Sequence, residues 1–462
     1  MLVDTAVIVV GAGPTGLMLA GELALGGVAV EVVDRQTVPG GQSRGGGVNS
    51  RTAEVLAMRG LIDGVADQAI PRTNVGGHFA GLPVALDTRP WRTRYPGGLL
   101  VLQDRLEEVL EDHLVSVGVG VRRGTELTGL DAVEDGVTVT VRGPGGEYRM
   151  RGRYLVACDG GHSTVRKLTG VAFPGRTGTM AAVSADIELT AWSTTVPRAV
   201  DHISRLTRKG GGYWMLLHPS AGPGENLYRV VFGGDAAHIH SPVGGQGLNV
   251  GVQDAANLGW KLAAQVRGDA PEGLLDSYHS ERHPVAARVI ATVRAQHVLM
   301  SPSPDADDVL ALRAIVIDLA RLPDANRYLA GLMSGLDLRY DLGGSDPLVG
   351  TRMPDLDLST AGGTTTRVST LLRSGHGLLL ELGDAIAADA LPAGVDRVTA
   401  RPAETAGSET LPGIGTDTGA APDVDRILIR PDGYVCWVGA GPQASPAAAL
   451  ERWFGAAALP AS

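Results

Sequence analysis

The chain has 462 residues, enough for two or three domains with a large core. Its 44% hydrophobic and 19% charged residues are ordinary for a folded protein. A formal net charge of −10 and a sequence pI near 5.6 argue against a nucleic-acid partner, which would need a basic face. The two cysteines, Cys158 and Cys436, lack metal-ligand spacing and indicate no disulfide framework, so we expect a reducing, cytoplasmic location.

The first predicted elements lie in an apolar run, residues 5–25. Pro14, Glu22 and several glycines interrupt the run, which divides naturally into a strand, a tight turn and a helix. We therefore predict neither a membrane span nor a secretory signal. Residues 6–10 form a short, continuous apolar stretch, which is typical of a buried parallel strand.

Three glycines follow this strand in the G-x-G-x-x-G spacing of a dinucleotide-binding turn: Gly11, Gly13 and Gly16. The first permits the turn, the second lets the backbone approach a pyrophosphate, and the third lets the helix pack close to the strand. A second strand, residues 28–33, ends at Asp34, near the position where an acidic residue accepts a hydrogen bond from a ribose hydroxyl. The motif therefore predicts FAD or NAD rather than NADP.

Two further glycine-rich motifs follow later in the chain. In the first, an apolar strand over residues 154–158 leads into "DGGHSTVR", which turns at Asp159 and begins a helix after Ser163. In the second, the apolar "YRVVF" leads into "GDAAHIHSPVGGQGLN", residues 234–249, and then into a helix. A plain NAD dehydrogenase needs only the first of the three motifs.

With "GAGPTG", "DGGHSTVR" and "GDAAHIHSPVGGQGLN" in this order, the chain resembles the FAD-dependent group A aromatic hydroxylases, which share the para-hydroxybenzoate hydroxylase fold. Hydroxylases of aromatic polyketides, of the angucycline type, are the most similar, and the resemblance runs to the C-terminal "ALERWFG". It implies an α/β protein with three parts. These are a Rossmann-like FAD-binding domain of the glutathione-reductase type, an inserted sheet-based substrate domain and a C-terminal thioredoxin-like domain.

The resemblance also implies which residues bind non-covalent FAD. Asp159 and Gly160 are expected near the pyrophosphate and the path of the nicotinamide, Asp235 near the ribityl or pyrophosphate region, and residues 242–249 along the isoalloxazine. The expected cofactor-binding residues are Gly11, Gly13, Pro14, Thr15, Gly16, Asp34, Arg35, Arg44, Gln103, Asp159, Gly160, Asp235, Pro242, Gly245, Gly247, Leu248 and Asn249.

Several of these assignments have simpler alternatives. Arg44 is otherwise a solvated loop charge, and Gln103 is otherwise a polar residue that begins a helix. His238 and His240 form an H-x-H pair without a third ligand, so no metal site is predicted. Candidate substrate contacts lie in the strand-like "GGYWMLLHPS", where strand residues serve as often in a core as in a pocket; they are Tyr213, Trp214, Met215 and Leu217.

The implied activity is that of a flavin-dependent monooxygenase. It would use NADH or NADPH and O₂ to hydroxylate a small-molecule polycyclic aromatic polyketide through a C4a-hydroperoxyflavin. No Ser-His-Asp or paired-carboxylate constellation is evident, as expected where the cofactor performs the chemistry. Two alternatives remain open: a Baeyer–Villiger or ring-cleaving oxygenation on the same scaffold, and a non-oxygenating flavoprotein reductase.

The expected domain boundaries follow from the order of the motifs. Residues 1–170 form the first part of the FAD-binding domain, with strands of the substrate domain near 70–100. Residues 171–232 form an incomplete substrate domain, 233–345 the rest of the FAD-binding domain with long linking helices, and 346–462 the thioredoxin-like domain. That last domain has no C-x-x-C, which favours a structural role or an oligomer interface, such as that of a homodimer.

The sequence departs from the family pattern at one place. In the resembled proteins, several dozen residues separate the "YRVVFGG" strand from the "GDAAH" motif. Here the two are fused, so that one strand would have to serve both the substrate sheet and the FAD-binding domain.

Overall fold

The structure is a computed structural model. It describes residues 2–39, 45–72, 77–174, 181–191, 193–194, 196–210, 213–220, 226–234, 245–300, 306–383, 390–403, 424–441 and 444–456. These residues form three β-sheets with helices packed between and around them, a mixed α/β architecture.

The first sheet has six strands in the order β3-β2-β1-β6-β5-β4. They are β1 (Leu2–Val10), β2 (Val30–Val33), β3 (Val121–Arg122), β4 (Glu126–Val133), β5 (Gly136–Gly143) and β6 (Gly146–Ala157). β1 pairs in parallel with both β2 and β6. Val7, Ile8 and Val9 are fully buried, because a central parallel strand is covered on both faces.

Three helices cover one face of this sheet and carry the motif residues. They are α1 (Pro14–Leu25), α4 (Gln103–Ser116) and α7 (Gln246–Arg267). α1 lies between the other two and packs against both. Shorter helices complete this part of the chain: α2 (Ser50–Ala57), α3 (Ile62–Asp67) and α5 (Thr164–Leu168).

The second sheet is antiparallel, with the order β7-β10-β9-β8. It comprises β7 (Ala181–Glu188), β8 (Thr207–Gly210), β9 (Tyr213–Pro219) and β10 (Leu227–Gly234), with the short helix α6 (Ile203–Leu206). β10 is the "YRVVFGG" strand, and it pairs with β7 and β9 as far as Gly234. Among the described residues, β10 thus serves the second sheet alone and does not pair with the first.

Long helices follow the second sheet. They are α8 (Asp276–Met300), α9 (Ala306–Ala320) and α10 (Pro323–Ser334). Leu299 of α8 and Ala330 of α10 form a buried cluster with Phe79, Leu82 and Leu86, from the segment that precedes α4. Within the described ranges, no helix is both long enough and apolar enough to cross a bilayer.

The third sheet lies in the C-terminal part of the chain, in the order β12-β11-β14-β13-β15-β16. Its elements are β11 (Asp357–Thr360), β12 (Thr365–Arg367), α11 (Val368–Leu371), β13 (Gly377–Leu382), β14 (Val395–Pro402), β15 (Arg426–Ile429), β16 (Val435–Gly439) and α12 (Ala447–Phe454). β13 pairs in parallel with β14 and antiparallel with β15. Three buried residues of this third sheet, Leu358, Leu378 and Ile427, belong to the same core cluster as residues of β1 and α1. The first and third sheets therefore share a core.

Candidate functional site

The turn between β1 and α1 depends on two of the motif glycines. Gly11 has a φ of +103°, and a Cβ on it would lie 2.4 Å from the carbonyl oxygen of Cys158. A Cβ on Gly16 would lie 1.9 Å from the carbonyl oxygen of Gly11. Neither position accepts another residue without moving backbone, so these glycines allow the turn, α1 and the end of β6 to pack directly against one another.

Gly13 has a different environment. A Cβ there would have Oε1 of Glu107, 3.9 Å away, as its nearest neighbour, so the packing of the chain leaves room at this position. Gly13 is also the N-cap of α1, which has Pro14 in its first turn and no side chain capping its N–H groups. Open space in front of uncapped N–H groups is what a phosphate requires at a helix N-terminus.

Asp34 directly follows β2, and its carboxylate binds backbone. Its Oδ2 accepts a hydrogen bond from Ala12 N at 2.6 Å, and its Oδ1 accepts one from Gln36 N at 2.7 Å. The carboxylate thus fixes the glycine turn to the end of β2, and its remaining lone pairs can accept from a ribose hydroxyl. Arg35, the next residue, is exposed and lines an open groove of about 690 Å³ with Arg142.

Asp159 directly follows the last apolar stretch of β6 and anchors the start of α5. Its Oδ2 accepts hydrogen bonds from Thr164 N at 2.6 Å and Val165 N at 3.1 Å. Its Oδ1 is buried and has no hydrogen-bond partner within the described part of the chain. Buried carboxylate oxygens are normally paired, so this atom marks a place where a ligand could supply the donor. Gly160, beside it, has a φ of +76° and open space at its Cβ position.

Gln103 joins this site to the glycine-rich segment before α2. Its Oε1 accepts a hydrogen bond from Gly45 N at 3.1 Å, and its backbone N donates to Gly45 O at 3.1 Å. Its Nε2 donates to Oε1 of Glu107 at 2.8 Å. Gln103 therefore begins a helix and also holds a glycine segment, so the simpler alternative for this residue is incomplete.

The N-terminus of α7 closes the arrangement. A Cβ on Gly45 would lie 3.1 Å from Cδ1 of Leu248, and one on Gly251 would lie 2.0 Å from Oγ1 of Thr15 in α1. Asn249 accepts a hydrogen bond from Asn49 N at 2.8 Å and donates to Gly47 O at 3.1 Å. These contacts fix α7 against both α1 and the glycine segment.

We call five segments together the cofactor edge. They are residues 11–16, 45–49, 103–107, 159–160 and 245–251. Hydrogen bonds and close packing link each of them to at least one other; segment 159–160 is linked through Gly11, whose Cβ would lie 2.9 Å from Cα of Asp159. The described parts of all three sequence motifs therefore lie side by side. Gly245, with a φ of +59°, caps α7, and Gly247 is exposed with open space at its Cβ position. Contact of any of these residues with FAD stays a prediction.

Some predicted site residues cannot be placed. Arg44, Asp235 and Pro242 lie outside the described residues, as do His238 and His240. Within the described ranges, no group of three or more His, Cys, Asp or Glu side chains could hold a metal ion. The assignments of Arg44, Asp235 and Pro242 rest on the sequence alone.

Glu107 is a site residue that the sequence analysis missed. It lies between Gln103 and Gly13, and burial raises the pKa of its carboxyl group. The cause is desolvation of the carboxyl group, so this position is partly shielded from water. Glu107 lies four residues after Gln103 on α4, and this helical spacing was visible in the sequence.

The substrate candidates lie in β9. Successive strand residues alternate between faces, so Met215 and Leu217 share one face and Leu216 lies on the other. Met215 and Leu217 are half-buried. Leu216 packs against a buried cluster of Ile70, Val200 and Leu206, and Leu100 and Leu102 pack against the same cluster. β9 and the segment before α4 therefore share one hydrophobic cluster.

Comparison with known families decides the assignment. An FAD-binding domain family matches residues 4–232 and 226–293, and a family described as the C-terminal part of aromatic-ring hydroxylases matches residues 346–457. The chain belongs to the FAD-binding aromatic-ring hydroxylases. This confirms the predicted family, the mixed α/β fold class, FAD as the cofactor and an FAD-dependent monooxygenase as the type of enzyme.

Individual relatives agree with this assignment. A 12-dehydrotetracycline 5-monooxygenase/anhydrotetracycline 6-monooxygenase from Streptomyces rimosus is 40% identical over 98% of this chain and 99% of its own. The structure of OxyS anhydrotetracycline hydroxylase from Streptomyces rimosus superposes with a TM-score of 0.85 at 39% identity, covering 98% of this chain and 100% of that one. CabE, an aromatic hydroxylase from angucycline biosynthesis, gives a TM-score of 0.83 at 35% identity, covering 98% and 100%.

The same comparisons agree with the unusual junction at β10. The two matches to the FAD-binding domain family overlap at residues 226–232, which contain the "YRVVF" strand. The alignment with the tetracycline monooxygenase has 513 positions, more than the 462 residues of this chain, so the relative has residues without a counterpart here. Their place at the junction of "YRVVFGG" with "GDAAH" stays a prediction.

Proposed function

We propose that this protein is a monooxygenase that hydroxylates a polycyclic aromatic polyketide, with FAD as cofactor and NADH or NADPH and O₂ as co-substrates. The observation that carries the proposal is the cofactor edge: segments distant in sequence present glycine backbone and uncapped N–H groups at one place. The relatives named above act on tetracycline intermediates or belong to angucycline biosynthesis, which supports a fused-ring aromatic substrate.

The residues of the cofactor edge fit FAD. Gly13 leaves room in front of the α1 N-terminus, where the helix dipole favours a pyrophosphate. Asp159 offers a buried oxygen that can accept a hydrogen bond. Asp34, which binds Ala12 N beside this edge, is proposed to accept a hydrogen bond from the adenosine ribose. When bound, FAD supplies hydride acceptance and the activation of O₂. The protein positions the ring, holds the phosphates and shields the reacting atoms from water.

The second sheet is proposed to cover the substrate. Leu216 of β9 packs against the cluster of Ile70, Val200 and Leu206, to which Leu100 and Leu102 also pack shortly before α4, and this supports a position of the sheet near the cofactor edge. Met215 and Leu217 remain candidate substrate contacts, whereas Leu216 belongs to the hydrophobic packing. Val183 and Leu227 are exposed on β7 and β10, which fits a sheet that has lost part of its cover.

The C-terminal part of the chain is proposed to be a thioredoxin-like domain without redox function. β14, β13, β15 and β16 form a mixed sheet with α12 nearby, which supports this fold. Cys436 is buried, and burial raises the pKa of its thiol to about 12, so it is a poor nucleophile. We also propose that the protein is cytoplasmic and forms a homodimer. Light scattering of the purified protein tests the oligomeric state.

The decisive experiment is aerobic turnover with ¹⁸O₂. Purified protein with FAD and NADH or NADPH is incubated with anhydrotetracycline-type and angucyclinone substrates, and the products are analysed by mass spectrometry. One labelled oxygen in a ring hydroxyl supports the proposal. A labelled lactone or a cleaved ring instead indicates Baeyer–Villiger-type oxygenation. Substrate-dependent oxidation of the nicotinamide without label in the product indicates a reductase, and both outcomes contradict the proposal.

A further inference from the structure

Helix α7 carries four buried polar side chains at intervals of four residues. Asn249, Gln253, Asn257 and Lys261 are between 0% and 7% exposed. Residues four apart lie on the same face of a helix, so these side chains form one stripe along α7. Burying polar groups is costly unless they are hydrogen-bonded, so each must have partners on the elements packed against this face.

The N-terminal half of the stripe holds the cofactor edge. Asn249 binds Gly47 and Asn49, as described above. Gln253 donates through Nε2 to Oγ1 of Thr52 at 3.2 Å, and the same hydroxyl donates to Asn249 O at 3.4 Å. Asn49 in turn caps α2, because its Oδ1 accepts from Thr52 N at 2.9 Å. This half of the stripe thus fixes the glycine segment 45–49 and the start of α2.

The C-terminal half of the stripe meets the turn between β15 and β16. We call residues 430–433 the RPDG turn. Asn257 Nδ2 donates to Oε2 of Glu281 at 2.7 Å and to Oδ2 of Asp432 at 3.0 Å. Lys261 Nζ donates to Oε2 of Glu281 at 3.0 Å. Arg430, with no exposed surface, donates to both carboxylate oxygens of Glu281, each at 2.7 Å, and also binds Asp432.

The RPDG turn contacts α2 as well as α7. Arg51 of α2 donates through Nη2 to the carbonyl oxygen of Asp432 at 2.7 Å. Its Nη1 pairs with Glu54 at 3.0 Å, and the other oxygen of Glu54 pairs with Arg352 at 2.9 Å. One turn of the C-terminal part of the chain therefore binds two of the helices whose N-termini lie at the cofactor edge, α2 and α7.

The charges in this network are enclosed. The Arg430 guanidinium lies 4.7 Å from the ring centroid of Trp453 and 5.5 Å from those of Trp260 and Tyr340. Burial alone would raise the pKa of Glu281, but Arg430 and Lys261 outweigh it and lower that pKa to about 2. Removing one partner leaves an uncompensated buried charge, so the geometry of this turn is strongly determined.

We propose that the RPDG turn is a positioning element for FAD: Arg430 and Asp432, acting through Glu281, Asn257 and Arg51, set the placement of α2 and α7 at the cofactor edge. None of these residues belongs to the cofactor edge itself. The C-terminal part of the chain then has a task beyond packing, because it controls how tightly FAD is held. This effect on FAD affinity does not rest on the proposed hydroxylation.

The test compares network variants with a packing variant of the same sheet. Asp432→Asn keeps the shape of the turn and removes a charge, Arg430→Met removes the guanidinium, and Arg430→Lys restores the charge. Leu379→Ala is the control: Leu379 is fully buried in β13 and packs in the cluster that includes Trp260 and Trp453, so its loss leaves a cavity but removes no hydrogen bond or charge of the network. Full-length protein is stripped of FAD and titrated with FAD by fluorescence quenching, and each variant's melting temperature and bound-flavin absorption spectrum are recorded.

We expect Asp432→Asn and Arg430→Met to weaken FAD binding by about tenfold or more, the range of ordinary coupling between distant sites. Arg430→Lys should recover part of that loss, and the flavin spectrum should shift in the network variants. Leu379→Ala should lower the melting temperature and leave the FAD dissociation constant within about twofold. Equal FAD affinity and an unchanged spectrum in Asp432→Asn, or equal weakening by Leu379→Ala, would overturn the proposal. Asp432→Asn carries the test if Arg430→Met does not fold. Because FAD binding is measured without substrate, failure of hydroxylation in the wild type leaves this result independent.

Discussion

Lys261 gives the network beneath α7 a dependence on pH whose sign follows from the structure. Its ammonium group is buried, and burial and repulsion by Arg430 lower its pKa from 10.5 to about 8. Between about pH 8 and 10.5 the unfolded chain holds a proton that the folded chain has released. The free energy of unfolding therefore rises with pH across this window, contrary to the usual behaviour of a paired lysine.

The size of the effect follows from the same shift. Lowering this pKa from 10.5 to about 8 corresponds to about 3 kcal/mol between the two ends of the window. About 1 kcal/mol of it should be gained between pH 7 and 9. Lys261→Met abolishes the titration and keeps a side chain of similar length. At pH 7 it should be less stable than the wild type, because Glu281 loses one of its two cationic partners and Oδ1 of Asn257 loses its donor.

Urea unfolding at pH 7, 8 and 9, followed by tryptophan fluorescence with excess FAD, measures this difference. Trp260 reports on the site directly, since its ring lies 5.8 Å from the Lys261 ammonium. Lys167→Met serves as the control, because Lys167 is exposed and its removal should leave the pH dependence of the wild type intact. The free energy of unfolding of the wild type, minus that of Lys261→Met, should increase from pH 7 to 9. A difference that stays constant or decreases with rising pH would refute the reasoning.

Three further predictions concern the cofactor edge. Gly16→Ala should lower the yield of soluble protein, because the new Cβ would lie 1.9 Å from the carbonyl oxygen of Gly11. Gly13→Ala should leave the melting temperature of the FAD-free protein unchanged and weaken FAD binding in a titration. Asp159→Ala should lose bound FAD, and with it its yellow colour, on gel filtration, and Asp159→Asn should retain more FAD than Asp159→Ala. Stoichiometric FAD in both variants would contradict the assigned role. Gln103→Ala should weaken FAD binding about tenfold. Glu107→Gln keeps an oxygen that can accept the hydrogen bond from Gln103 Nε2, so in the same titration it should stay within about twofold.

The local parts of the fold were predictable from sequence. An apolar run followed by G-x-G-x-x-G determines β1, the turn and the start of α1, because the period of the pattern and the steric needs of glycine act over a few residues. The predicted strand at residues 6–10 lies within β1, which begins at Leu2. The second strand, predicted over residues 28–33, begins in the structure only at Val30. Element ends depend on pairing and packing between distant segments, which a local pattern does not contain.

The site divides in the same way. The sequence placed Asp34 after β2, but it could not reveal that the carboxylate binds Ala12 N, because that bond depends on how β1 and β2 align. It also missed the bonds from Arg430 to Glu281, which join residues 149 positions apart. One signal was available: the polar residues at every fourth position of α7 indicate a buried polar face, although not its partners.

The junction at β10 and the network beneath α7 together explain how this chain can lack residues that its relatives have. Among the described residues, the contacts that hold the cofactor edge run through α1, α2, α4, α7 and the RPDG turn. The second sheet shares a hydrophobic cluster with the segment before α4, through Leu216 on one side and Leu100 and Leu102 on the other. Residues missing after β10 would therefore remove neither this cluster nor the network. In a chain built in this way, the second sheet can change while the helices and the RPDG turn keep the cofactor edge in place.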